Sequence, residues 1–322
     1  MSRPEAGPFT IGVSLVAFSS AAAIRRFAVA AWRRYQREAL FELSYTSAPA
    51  LLEELTFLLS GSPKGSVVSS HAPCPATELF PNLGSRDPAV VAESLQTIRR
   101  SAATAAAFGA DLLVLHAGYT TDAGVFSDSR RRLEALAASR DPEDQSWLWL
   151  ERGTVCRTGY CRSPRYRAHL ETAVGNLRQA ASLCADHGVR LTVENLNPRL
   201  TYLFQLPGEL IELVRDIPEI ALCVDLGHLW ISSLVHGFDF REGLQEMLRT
   251  GRVATVHVHD NASTLGPPPA LGDDHALIGS GRVPIREALS LLAAAGVRRL
   301  VIESPKSALD NYARLLRLLS RA

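Results

Sequence analysis

Eight short apolar runs, most of them followed by a helical stretch, constrain this chain more than any other feature. They are IGVSLVA (11–17), ALFELS (39–44), SVVSSH (66–71), DLLVLH (111–116), VRLTVEN (189–195), ALCVDLG (221–227), VATVHVHD (253–260) and RRLVIES (298–304). Most are continuous in Val, Leu and Ile rather than alternating, as strands covered on both faces should be. Between them lie helical segments: an Ala/Arg-rich stretch to about residue 38, then 48–60, 88–109, 165–188, 207–217, 286–296 and 309–319. Eight βα units in 322 residues predict an α/β fold, a (β/α)8 TIM barrel with 1–322 as one domain. A doubly wound sheet is the competing fold. It rarely sets polar groups at the ends of so many strands, whereas a barrel gathers those ends on one face.

The stretch 118–165 breaks the repeat. It holds SRRRLEALAASRDPEDQ, Trp147, Trp149 and CRTGYC, and it follows strand four. It is therefore read as an insertion or lid on the face where strand ends converge. Cys156 and Cys161 read as two loop thiols, with a metal role as the alternative. Arg130, Arg131 and Arg132 read as a phosphate patch or as a solvated helix start. PPPALGDD (267–274) reads as a stiff loop or a gate.

Charge excludes little but narrows the partners. The chain has 34 basic and 33 acidic side chains, so no global field draws it to nucleic acid or membrane. No basic stripe interleaved with aromatics occurs outside the insertion, and a small-molecule substrate is expected. Five cysteines, an odd number in a long chain, do not make a disulfide scaffold. MSRPEAGPF reads as neither signal peptide nor membrane span, so the expected location is cytoplasmic.

The chemistry sits at the strand ends. Glu194 closes strand five, Asp225 strand six and Glu303 strand eight, and His257 lies near the end of strand seven. An apolar core does not hold such groups unless they are paired or bound to metal. Three carboxylates with one imidazole suit Mn²⁺, Mg²⁺, Co²⁺ or Zn²⁺. Further candidates for metal or pocket are His71, His116, His228, His259, Asp273 and His275. Glu42, inside strand two, faces the cavity or pairs with an arginine. Asp260 and Asn261 orient the histidines beside them, and Gly279 and Gly281 allow close backbone approach. Cys74 lies near the site without a base.

In their order along the chain, SSHAP, LHAG, VEN, VDLGH, HVHDN, DDHALIGSG and VIES resemble the xylose isomerase-like TIM barrels. That superfamily joins sugar isomerases and epimerases to endonuclease IV. The resemblance covers nearly the whole chain apart from 118–165. In the isomerase and epimerase branch it implies one divalent ion on Glu194, Asp225, His257 and Glu303. There the two glutamates move a proton through a metal-stabilised enediolate of a sugar or related hydroxycarbonyl compound. His228 would touch a substrate oxygen, and a homo-oligomer is common. In the endonuclease IV branch it implies up to three zinc ions on His71, His116, Glu194, Asp225, His228, His257, Asp273, His275 and Glu303, and phosphoester hydrolysis. All nine positions carry suitable residue types here. The surroundings differ from the nuclease pattern: Cys74 replaces a tyrosine, His259 an asparagine, and LNPRL a glycine-rich run. The isomerase or epimerase reading therefore comes first, hydrolase second, and a non-catalytic small-molecule-binding barrel third.

Overall fold

The computed structural model describes residues 9–59, 66–138, 147–150, 153–267 and 269–320. Eight strands form one closed, wholly parallel barrel. They are β1 (Thr10–Ser14), β2 (Leu40–Leu43), β3 (Val67–His71), β4 (Leu112–Leu115), β5 (Arg190–Glu194), β6 (Ala221–Asp225), β7 (Val253–Val258) and β8 (Arg299–Ile302). Each pairs with its sequence neighbours, and β8 returns to β1. Val13, Leu43, Leu113, Val193, Val224, Val256 and Leu300 are fully buried. Each such side chain contributes about 1.5–3 kcal/mol.

The helices are α1 (Ala21–Tyr35), α2 (Pro49–Leu59), α3 (Pro88–Ala107), α4 (Ser129–Ala138), α5 (Pro164–Ala185), α6 (Pro207–Asp216), α7 (Leu226–His236), α8 (Phe240–Arg249), α9 (Ile285–Ala294) and α10 (Ala308–Leu319), and all but α4, which belongs to the insertion, form the outer layer. Local chemistry starts several of them. Ser20, Asp87, Ser163 and Asp239 accept backbone N–H bonds as N-caps, and α3, α5 and α6 begin with proline. Phe240, Gly243, Leu244 and Met247 give α8 one buried face at helical spacing.

Strand six ends sooner than its apolar run. The Asp225 carboxylate accepts from the His228 backbone N–H at 2.6 Å, and the cap turns LGH into the first turn of α7. The insertion lies between β4 and β5. Leu79–Phe80 pairs antiparallel with Val125–Phe126, α4 follows, and Trp147–Leu150 pairs with Gly153–Cys156. Thr120 N–H bonds to Thr201 O at 2.7 Å, which ties the start of the insertion to the loop after β5. Residues 139–146, the side chains of Trp147 and Trp149, most of the MSRPEAGPF segment and Pro268 lie outside the described part. Among the described residues no helix is long and apolar enough to cross a membrane.

Candidate metal centre

Four strand ends deliver the first cluster. Glu194 and Asp225 are the last residues of β5 and β6, His257 is the penultimate residue of β7, and Glu303 follows β8. The ladder sets Asp225 directly beside His257. All four side chains are buried, and their donor atoms lie within 4.8 Å of one another. His257 Nδ1 is 3.0 Å from Glu303 Oε2, 3.5 Å from Glu194 Oε1 and 3.9 Å from Asp225 Oδ2. It nevertheless makes no hydrogen bond, and neither do Glu194 Oε1 and Asp225 Oδ2. Buried polar atoms normally find partners. Lone pairs that converge on one point instead fit a cation held among them.

Glu42 settles which nitrogen of His257 faces that point. His257 Nε2 donates to Glu42 Oε2 at 3.2 Å, so in the neutral ring that a cation would bind Nδ1 carries the lone pair. Ser69 Oγ donates to the same carboxylate oxygen at 2.7 Å. Glu42 therefore pairs with a histidine and a serine rather than with an arginine.

Two further clusters adjoin the first. His71 Nε2 and His116 Nε2 lie 3.1 and 3.3 Å from Glu194 Oε2. On the other side, His228, His259, Asp273 and His275 bring four donor atoms within 4.8 Å of one another. His275 Nδ1 donates to Glu303 O at 2.7 Å, which turns Nε2 toward Asp273 Oδ1 at 3.3 Å. His228 Nδ1 donates to Asn195 O at 3.1 Å, and its Nε2 faces Asp273 Oδ2 at 3.2 Å. His228 Nε2 is thus directed at Asp273 and the second cluster. His259 is fully buried, and neither ring nitrogen has a hydrogen-bond partner. His275 holds a left-handed backbone at φ 42°, a conformation that persists off glycine where the surroundings fix it.

The electrostatics follow from burying many carboxylates in one place. Burial pushes the Glu194 carboxyl up, but His257, His116 and His228 outweigh it and hold it well below the usual range. Glu303 is likewise pushed up by burial and drawn down further by His257 and His275. Burial opposes charge on His257 and His228, yet the surrounding anionic groups raise both well above an ordinary histidine. His275 is raised to about 10, with Asp273 overcoming burial. The carboxylates demand positive charge, which protons supply in the metal-free chain and a divalent cation would supply in their place. Cys74 is pushed up to about 12 by burial, so it is no nucleophile.

Several contributors carry little sequence signal. Asn195 donates to Asp225 O at 3.0 Å and accepts from Asp225 N–H at 2.8 Å, locking two ligand-bearing strand ends together. Asn197 donates to Asp273 Oδ2 at 3.0 Å. Tyr45 sets its ring 5.1 Å from His71, and Phe80 stands 5.8 Å from His116, forming an aromatic wall. Gly227 leaves room for the His259 ring, which a Cβ there would strike. Asp260 orients no histidine. Its carboxylate instead accepts from Gly279, Gly281 and Val283 N–H at 2.9, 2.9 and 3.1 Å, and so builds the GSG turn.

The sequence matches the family model of the xylose isomerase-like TIM barrel over residues 28–322. The chain belongs to this family. Several proteins of known structure share its fold at low identity. A D-tagatose 3-epimerase-like protein superposes with a TM-score of 0.68 at 20% identity, covering 97% of this chain and 98% of its own. The D-psicose 3-epimerase of Clostridium cellulolyticum H10 gives 0.58 at 14%, covering 97% and 96%. The 3-keto-D-glucoside 4-epimerase of E. coli gives 0.59 at 15%, covering 97% and 98%. No curated protein sequence matches the chain.

Proposed function

We propose that this protein is a divalent-metal-dependent epimerase or isomerase of a small sugar or related hydroxycarbonyl compound. The observation that carries the reading is the first cluster, where two glutamates from β5 and β8 flank His257 and Asp225. The structural likeness to two epimerases and one epimerase-like protein supports it. Glu194, Asp225, His257 and Glu303 would hold the ion. When bound, a divalent ion supplies Lewis-acid polarisation of a carbonyl and neutralises developing charge.

The chain's own groups do the rest. One of Glu194 and Glu303 removes the proton from the carbon beside the carbonyl, and the other carboxyl returns a proton from its Oε atom. Return to the opposite face is epimerisation, and return to the neighbouring carbon is isomerisation. Glu42 holds His257, while His71 and His116 engage Glu194 Oε2, so Oε1 is the glutamate oxygen turned toward the ion and the substrate. Tyr45 and Phe80 offer ring faces for the C–H side of a sugar.

We assign a second ion to His228, His259, Asp273 and His275. Its fourth donor, His259, stands where the nuclease pattern has asparagine. Four protein donors make a closed structural site rather than one open to water and substrate. A trinuclear phosphoester hydrolase is the second reading, favoured by the gathering of His71 and His116 on Glu194.

The test is deuterium uptake. Ketohexoses incubated in heavy water with the protein and Mn²⁺, Mg²⁺, Co²⁺ or Zn²⁺ should gain deuterium beside the carbonyl. Glu194→Gln and Glu303→Gln should each slow uptake by about 10²–10⁴-fold. Cleavage of phosphodiesters with no uptake from any ketose would favour the hydrolase.

A further inference from the structure

We propose that Cys156, Cys161, His236 and Gln205 form a zinc site, apart from the Glu194 clusters, that clasps the insertion to the barrel. The inference is independent of the epimerase reading, which does not use these residues. Cys156 ends the strand Gly153–Cys156, and Cys161 lies in the turn Tyr160–Arg162. His236 is the last residue of α7, and Gln205 lies in the loop before α6.

The two thiols and the imidazole converge on one atom. Gln205 Oε1 is 3.1 Å from Cys156 Sγ, 3.6 Å from Cys161 Sγ and 3.0 Å from His236 Nε2. His236 Nε2 is in turn 4.0 and 3.9 Å from the two sulfurs. The amide orientation is fixed from outside, because Gln205 Nε2 donates to Arg199 O at 2.9 Å and Tyr202 O at 2.7 Å. One carbonyl oxygen with two lone pairs thus faces three donors. Loss of the thiol protons removes that excess. Two thiolates, an imidazole nitrogen and a carbonyl oxygen then make a four-donor set of the kind Zn²⁺ takes.

The edges suit such an ion. Zinc–sulfur and zinc–nitrogen bonds of about 2.3 and 2.0 Å place neighbouring donors roughly 3.5–4 Å apart. Five of the six edges run from 3.0 to 4.0 Å. The sulfur–sulfur edge is wider than those within the Glu194 clusters, so binding draws the thiolates inward. Each thiol releases one proton to water, and the neutral His236 ring shifts its hydrogen from Nε2 to Nδ1 so that Nε2 can bind. Two thiolates neutralise the ion, as burial of both cysteines requires.

The position gives the clasp a purpose. Cys156 N–H also bonds to Pro198 O at 2.8 Å, and Thr158 Oγ1 donates to Val235 O at 2.6 Å. The loop fastened in this way begins with Asn195 and Asn197, which hold Asp225 and Asp273. The clasp therefore supports the metal centre through its loop.

Cobalt(II) added to the metal-free full-length chain tests this. A near-ultraviolet thiolate-to-cobalt absorption is expected. It should be lost in Cys156→Ser and in Cys161→Ser and kept in Glu194→Ala and in Cys223→Ser, whose thiol lies beside the first cluster. Bound zinc per chain should fall by one in each of the first two variants. The proposal is overturned if wild-type protein gives no such absorption, or if the band survives both serine variants. The wild-type spectrum remains decisive even where a serine variant fails to fold, and it is read without substrate.

Discussion

Glu42 stands outside the candidate ligand groups but behind one of their members, His257. Its carboxylate fixes the His257 tautomer from behind. Glu42→Gln should therefore weaken metal binding at the first cluster by about 10–100-fold with little change in fold. Competition against a chelating indicator measures this, and an unchanged affinity would mean that His257 orients itself. Gly227→Ala tests the neighbouring cluster. The added methyl strikes the His259 ring and should cost about 1–3 kcal/mol of stability. It should also lower metal content by one ion per chain, which elemental analysis reads directly. Retention of full metal content would remove His259 from the donor set. His259 was visible in the sequence as a histidine near the site. What Gly227 does for it was not, because the contact joins α7 to the end of β7.

Among the elements, α6 carries a pH dependence. Glu209 accepts from Tyr166 Oη at 2.9 Å and from Leu206 N–H at 3.2 Å. Burial raises its carboxyl to about 7, against an ordinary 4.5, despite those donors. The folded chain thus binds this proton more tightly than the unfolded chain. The stabilisation is complete below pH 4.5 and is lost as pH rises toward 7. Glu209→Gln should flatten that part of the stability curve and gain roughly 1–2 kcal/mol at pH 8, since the partly exposed side chain is screened. Denaturant melts at several pH values decide it, and parallel curves for both proteins would refute it. Most element boundaries were legible from apolar runs, Pro at helix starts and capping side chains. Strand six was the exception. Its run continues through Leu226, but the Asp225 cap ends the strand. A short apolar run does not distinguish strand from helix, and the capping hydrogen bond decides.

For the whole molecule, the central fact is charge. His257, His228 and His275 are all raised by neighbouring anions, so they hold protons at neutral pH in the metal-free chain. Metal uptake at pH 7 should release protons, and affinity should fall as pH falls, because protons and cations compete for the same lone pairs. Titration of metal-free protein in unbuffered solution with a pH indicator measures this. Metal uptake without proton release would contradict the charge assignment. Chelation should lower the thermal midpoint, and zinc or manganese should restore it. The sequence by itself determined the barrel and the place of the insertion and offered the candidate ligand types, because strand runs, helix periodicity and strand-end chemistry are local signals. Glu194, Asp225, His257 and Glu303 could be named from it for that reason. Only the tertiary structure decided that Glu194 is shared by two of the three clusters and that Glu42 turns His257. It alone brought two cysteines of the insertion to His236. These are contacts across the barrel mouth between residues far apart in the chain, and closure of the sheet, not any local pattern, sets their distances.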